Sequence, residues 1–160
     1  MEATVEIAFQ IEPPDSPTAR GLVSESELEL KARYPDHVAN EIDPTDFKTA
    51  GGVFVVGYLK ECPIACGSFL PFGDVVELKR IFVTPAFRRK GCARQMLAFL
   101  EREAAARGFK RAVLETGQRQ PEALSLYPSA GWIEIERFEP YINTVYSVCF
   151  GKDLKRPSSQ

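Results

Sequence analysis

One histidine and four cysteines are all that this chain of 160 residues offers a soft metal, and that leaves a zinc site little to work with. The nearest approach to a metal pair is Cys62-x-x-x-Cys66, but Pro63 and the strand pattern around it argue against ligation. Cys62, Cys66, Cys92 and Cys149 are expected as reduced, buried or half-buried thiols, with no metal bound. No apolar run reaches the ~18 residues needed to cross a bilayer. The start, Met1 to Glu6, is acidic and lacks the basic and apolar parts of a signal peptide, so a soluble cytoplasmic protein is expected. A net charge of −2 gives no general attraction to nucleic acid. A nucleotide-hydrolase loop would need Gly-Lys-Ser or Gly-Lys-Thr, and a dinucleotide fingerprint three spaced glycines opening a βαβ unit; both are absent.

What the chain does have is an ordinary globular balance, 44% hydrophobic and 26% charged, at a length that suits a single domain with a real core. One domain over 1–152 is expected, followed by a polar tail at 153–160. The stretch Glu77 to Arg94 stands out. Leu78, Ile81, Phe82 and Val83 read as a strand ended by Pro85. Gly91 and Ala93 then lead into the helical Gln95 to Leu100. Between strand and helix lie three consecutive cations, Arg88, Arg89 and Lys90. A strand, a basic turn with glycine and a helix N-terminus together make an anion site. The first helical N–H groups lack internal partners, and the macrodipole favours negative charge there.

Along the chain, Val5 to Ile11 alternates with a period of two and reads as a first strand. Pro13, Pro14 and Pro17 read as a loop, and a helical pattern runs from Thr18 to Tyr34. Ser24-x-x-Glu27 resembles a capping box inside that span, which would divide it into two short helices. Asp36 to Gly52 shows no clean period and reads as a connection or a substrate segment. Val53–Lys60, Ile64–Leu70 and Val75–Val83 are three strands joined by short turns, an antiparallel meander. The helix after the basic turn stops at Gly108, and Arg111–Glu115 follows as a strand parallel to the one before the crossover. Pro121 opens a short helix with Ala123, Leu126 and Tyr127 inside. Strands are expected at Trp132–Phe138 and Tyr141–Phe150.

Arg88-x-x-Gly91-x-Ala93 after Val83-Thr84-Pro85 resembles the pyrophosphate loop of the GNAT superfamily of acetyl-CoA-dependent N-acetyltransferases, whose pattern is Gln/Arg-x-x-Gly-x-Gly/Ala. The element order resembles that family's over nearly the whole chain. Gln120-x-x-Ala123-x-x-Leu126-Tyr127 followed by Ala130-Gly131-Trp132 is similar to its second signature. Leu114-Glu115-Thr116-Gly117 with Gln120-Pro121-Glu122-Ala123 is similar to a small, mostly bacterial subgroup. The resemblance implies an α/β (α+β) fold with a mixed, mostly antiparallel sheet of about 6–7 strands and helices on both faces. It implies acetyl-CoA as co-substrate and a primary amine, on a small molecule or peptide, as acceptor. Binding of the cofactor would fall to Ile81, Phe82 and Val83, to the run Arg88, Arg89, Lys90, Gly91, Cys92, Ala93 and Arg94, and to Gln120. Tyr127 would be the acid for the departing thiolate, against the competing reading of a core tyrosine. Pro128 beside it departs from the usual pattern and disfavours helical geometry at Tyr127. Glu77 is the implied base, with Glu115 as an alternative and His37 chemically apt near neutral pH. Acceptor contacts are expected from Arg33 to Gly52 with help from Tyr141, and a homodimer through the C-terminal strands is compatible with the pattern. A non-catalytic acetyl-CoA-binding module is the other reading of the same features.

Overall fold

A computed structural model describes residues 5–37 and 43–155. Its elements are β1 (Ala8–Ile11), α1 (Pro17–Arg33), α2 (Pro44–Thr49), β2 (Val53–Leu59), β3 (Cys62–Phe72) and β4 (Val75–Val83). After a 3-10 turn at Pro85–Phe87 come α3 (Cys92–Ala106), β5 (Arg111–Gly117), α4 (Pro121–Ser129), β6 (Ile133–Ile135) and β7 (Ser147–Asp153). All seven strands form one sheet, ordered β1-β2-β3-β4-β5-β7-β6. The β4–β5 pair is parallel and every other pair antiparallel, so the mixed, mostly antiparallel architecture stands. Among the described residues no helix is long and apolar enough to cross a membrane.

Several local expectations give way to longer-range partners. The first strand begins at Ala8, because Val5 and Ile7 turn to α3 instead. The Val5 N–H donates to Lys90 O at 3.2 Å, the Ile7 N–H to Gln95 Oε1 at 3.3 Å, and Gln95 Nε2 returns a bond to Val5 O. Pro17 lies at the first turn of α1 rather than in a loop, and Ser16 caps the helix by accepting from the Ala19 N–H. The helix is single: Ser24 and Glu27 are interior, and Glu27 is engaged by Arg80 and by His37. Asp43 caps α2 in a span that shows no period, accepting from the Thr45 and Asp46 N–H groups. Part of that segment, 38–42, lies outside the described residues. β6 is only three residues, and β7 starts at Ser147, so Tyr141 belongs to the connection before it. β7 then runs through Lys152 to Asp153; the last five residues of the expected tail, 156–160, lie outside the described ones.

Alternation along the strands gives the sheet two apolar faces. Val53, Val55, Phe69, Val76, Leu78, Leu114 and Phe150 pack with Met96, Leu97 and Leu100 of α3 and Tyr127 of α4. Phe54, Val56, Cys66 and Phe82 face the other way, against Ala19 and Leu22 of α1 and Phe47 of α2. Gly67 is what lets α3 lie close: a Cβ there would sit 2.9 Å from Leu100 Cδ1 and 3.0 Å from Met96 Cγ.

Candidate active site

The sheet opens at its centre. β4 and β5 pair from Val75↔Arg111 to Leu78↔Leu114 and no further, although β4 continues to Val83 and β5 to Gly117. Past Leu78 the edge of β4 that faces β5 therefore has no strand beside it, and a parallel pair becomes a wedge-shaped gap. A bulge sharpens the divergence. The β3 register passes from Ser68↔Lys79 to Cys66↔Phe82, leaving Arg80 and Ile81 opposite Gly67. Arg80 has φ of 62°, a left-handed conformation uncommon in a non-glycine residue. The extra residue places Lys79 and Arg80, neighbours in sequence, against one cavity on the α1/α2 face. Ile81 and Val83 then pack with the α3 core and Phe82 with the α1/α2 core.

β4 leads through the 3-10 turn into the basic loop and α3. Gly91 is the N-cap of α3 with φ of 80° and no side-chain cap, so the first N–H groups of a fifteen-residue helix are left for an external acceptor. Arg89 also adopts positive φ, 62°, and its side chain is exposed. The side chain of Arg88 turns away from the loop. Its Nε donates to Val83 O at 3.0 Å, its Nη2 to Glu29 Oε2 at 2.7 Å, and its guanidinium lies 5.6 Å from the Phe82 ring centroid. Lys90 is half-buried, and Cys92 is buried, which raises its thiol pKa despite the Lys90 charge. Arg94 reaches across to α4, donating to Ser129 Oγ at 2.7 Å and Ser129 O at 3.2 Å. Gln120 precedes α4 and does not cap it with its side chain. Backbone donors, together with the Arg89 and Lys90 side chains, which have no partner among the described residues, are what this loop presents to an anion. A pyrophosphate fits such a site: the donors converge at a helix N-terminus, and the left-handed glycine opens the approach.

Tyr127 stands on α4, which continues through Pro128 to Ser129, so the proline does not displace it from helical geometry as its sequence context suggested. A proline one residue from the helix end removes only one N–H donor, and the Ala130 N–H still closes the turn on Leu126 O. The ring is buried against Trp132 and Phe150. Among the described residues its hydroxyl has no hydrogen-bond partner, and it is not one of the atoms sealed from solvent. Burial first, and the charge of Glu115 second, raise its pKa above the usual tyrosine value.

On the α1/α2 face, beside the gap, the structure gathers a polar cluster from three elements. Glu77 Oε2 accepts from Tyr141 Oη at 2.7 Å and lies 3.7 Å from Lys79 Nζ, which also donates to Tyr141 Oη at 3.4 Å. Glu115, one strand over, accepts from Ser147 Oγ at 2.5 Å. Burial pushes the Glu115 carboxyl above its ordinary range; the Ser147 bond opposes this and the Glu77 charge adds to it. Burial and the Glu77 hydrogen bond likewise raise the Tyr141 phenol. Glu77 and Glu115 thus share a site, and Tyr141, expected in a strand, is brought in by the loop before β7. His37 is held by Glu27 at 2.7 Å and is near enough for its charge to act on Glu115. Ser147, Ser129 and Tyr34 carry no local motif, and only the sheet register and α1 put them here. Tyr34 Oη accepts from the Arg119 N–H at 2.8 Å, latching the end of α1 to the β5–α4 connection.

Comparison with known proteins agrees with this arrangement. Residues 17–132 match the sequence profile of the Acetyltransferase (GNAT) family. An IAA acetyltransferase from Azospirillum brasilense is 30% identical over 122 residues, covering 75% of this chain and 80% of that protein. A solved structure from Klebsiella pneumoniae superposes with a TM-score of 0.80 at 20% identity, over 93% of this chain and 98% of the other. An acetyltransferase from Elizabethkingia anophelis with acetyl-CoA bound superposes with a TM-score of 0.71 at 18% identity, over 92% and 98%.

Proposed function

The chain belongs to the GNAT family of acetyl-CoA-dependent acyltransferases, and from that premise we propose that it acetylates a primary amine by direct attack in a ternary complex. The observation that carries this reading is the early end of the β4–β5 ladder at Leu78↔Leu114, with β4 running on into the uncapped start of α3. The backbone from Arg88 to Ala93 holds the pyrophosphate, with Arg94 and Gln120 at the rim. The main chain of Ile81 to Val83, open toward the gap, aligns the amide-bearing arm of the cofactor, and one of its N–H groups faces the carbonyl oxygen where negative charge develops. Bound acetyl-CoA supplies an acetyl thioester, an activated acyl group with a thiolate leaving group.

Glu77 takes the amine's proton. Its Oε2 is fixed by Tyr141 and Lys79, and its Oε1, which has no partner among the described residues, is left to meet the amine directly or through water. Tyr127 serves the sulfur. Its raised pKa keeps it protonated at neutral pH, so it always presents an O–H. A phenol above pH ~10 is a weaker acid than a thiol near ~8.5, so its contribution is a hydrogen bond to the developing thiolate, with the amine as the ultimate source of the proton. A second assignment of the base, Glu115, is favoured by one observation: burial raises its carboxyl above the ordinary range, toward the pH at which a base works.

Free-CoA release across a panel of primary amines tests the function. Glu77→Gln and Glu115→Gln, compared as pH–rate profiles, assign the base. The variant that loses the acidic limb of kcat/KM carried it, and a profile unchanged in both refutes a carboxylate base. A panel in which no amine releases CoA above background refutes acetyl transfer to amines.

A further inference from the structure

The structure assigns an acceptor class to the α1/α2 face: we propose that the amine substrate also carries a carboxylate, on an apolar, aryl-sized body. A cavity of about 420 Å³ lies between α1, α2 and strands β2 to β4, within the size range of small-molecule sites. Its apolar walls come from Val23, Phe47, Phe54 and Leu70, two of them aromatic rings. Its polar lining is cationic: Arg20, Lys79 and Arg80 stand against one carboxylate, Asp15, with Ser68 as the hydroxyl. The three cations are not equivalent. Arg80 is engaged by Glu27 and Lys79 lies 3.7 Å from Glu77, while Arg20 makes no ion pair among the described residues.

That asymmetry orients a ligand. Lys79 ties the cavity to Glu77 and Tyr141 and lies next to the bulge that leads into Ile81, so the amine belongs there. Arg20, on the first turns of α1, lines the same cavity, and its guanidinium fork suits a carboxylate. Arg20 is exposed, so a polyamine or a neutral apolar amine would leave it to water, whereas a carboxylate would gain an ion pair. In the transfer itself the acceptor nitrogen bonds to the acetyl carbon as the C–S bond breaks. One amine proton leaves through the carboxylate cluster and the sulfur ends as a thiol, so no further reactant is needed. This rests on the acetyl-transfer reading of the same site, and its test therefore uses binding as well as turnover.

The probes are L-phenylalanine, L-phenylalaninamide and phenethylamine, titrated calorimetrically into protein saturated with CoA and then assayed for CoA release with acetyl-CoA. L-Phenylalanine is expected to bind at least tenfold more tightly than either probe lacking the carboxylate. Arg20→Met should bring that ratio close to one, and Arg20→Lys should retain most of it. Equal binding of all three probes, binding of none, or a ratio unmoved in Arg20→Met overturns the assignment. Failure of acetyl transfer shows separately: no amine of any kind releases CoA while the binding ratio still stands.

Discussion

Replacing Gly117 with alanine should unlatch α1 from the far side of the gap. An added Cβ would lie 1.9 Å from Tyr34 Oη, 2.6 Å from Cζ and 3.2 Å from Cε2. The backbone is not the obstacle, since Gly117 is absent from the positive-φ glycines, and alanine at a tolerant position gains ~0.4–1 kcal/mol through the unfolded state. The ring must instead move by more than ~1 Å to restore ordinary contact, an overpacking that typically costs ~1–3 kcal/mol. Moving it breaks the 2.8 Å bond from the Arg119 N–H. Arg119 is exposed, so its freed N–H can turn to water and the lost bond costs about 0.5–1.5 kcal/mol. The ring also leaves Tyr146, 5.0 Å away between centroids, and the Arg119 guanidinium, 5.3 Å away. The net is about 2 kcal/mol of destabilisation, or ~4–8 °C in Tm for a chain of this size. Urea unfolding followed through the single, buried Trp132 measures it. The decisive comparison is a double-mutant cycle: in a Tyr34→Ala background the same Gly117→Ala change should be neutral or slightly stabilising. Equal destabilisation in both backgrounds would refute the steric account.

Three further outcomes follow from the site. Tyr127→Phe should lower kcat by ~10–150-fold, the value of a hydrogen bond to a charged group, while Tm changes little because the hydroxyl has no protein partner; a large Tm loss with unchanged kcat would show a structural tyrosine instead. Burial holds the Glu115 carboxyl above its ordinary value of 4.5 in the folded chain, so its stabilising contribution is complete below that pH and is lost as pH rises through the raised value. Glu115→Gln should therefore gain stability relative to the parent above pH 4.5, read from urea midpoints across pH, and a constant difference would contradict the burial argument. Of the four thiols, only exposed Cys62 should react promptly with a thiol reagent in the native protein. Cys66 is buried with its pKa pushed up to about 12, and Cys92 and Cys149 are buried too; rapid labelling of two or more would disprove that packing.

The basic turn was legible because its determinants are local: a glycine at a left-handed position, small residues after it and a helical pattern beyond. The meander of β2, β3 and β4 was legible for the same reason, through short turns and apolar alternation. What escaped is settled by partners far along the chain. Ser24-x-x-Glu27 has the letters of a cap, but Glu27 is drawn to Arg80, 53 residues on. Tyr141 has the look of a strand residue, and its hydroxyl is drawn instead to Glu77, 64 residues back. Pro17 read as part of a loop and turned out to begin a helix, because Ser16 was there to cap it, and Asp43 does the same for Pro44 in a span that showed no period. The bulge at Arg80 left no mark in the sequence at all, since nothing in Lys79-Arg80-Ile81 calls for positive φ.

The two-faced sheet has a consequence for how such an enzyme diversifies. Side chains that would choose the acceptor on the proposed reading lie on the α1/α2 face and in the loop before β7, while the α3 and α4 packing behind the basic turn lies on the other face of the same strands. Because consecutive strand residues point to opposite sides, a change at Phe54 or Leu70 can reshape one compartment without a compensating change at Val55 or Phe69. On the proposed assignment, acceptor preference can drift under selection while the basic turn stays intact, and directed evolution of new acceptors should begin at Arg20, Phe47, Phe54 and Leu70 rather than in that turn.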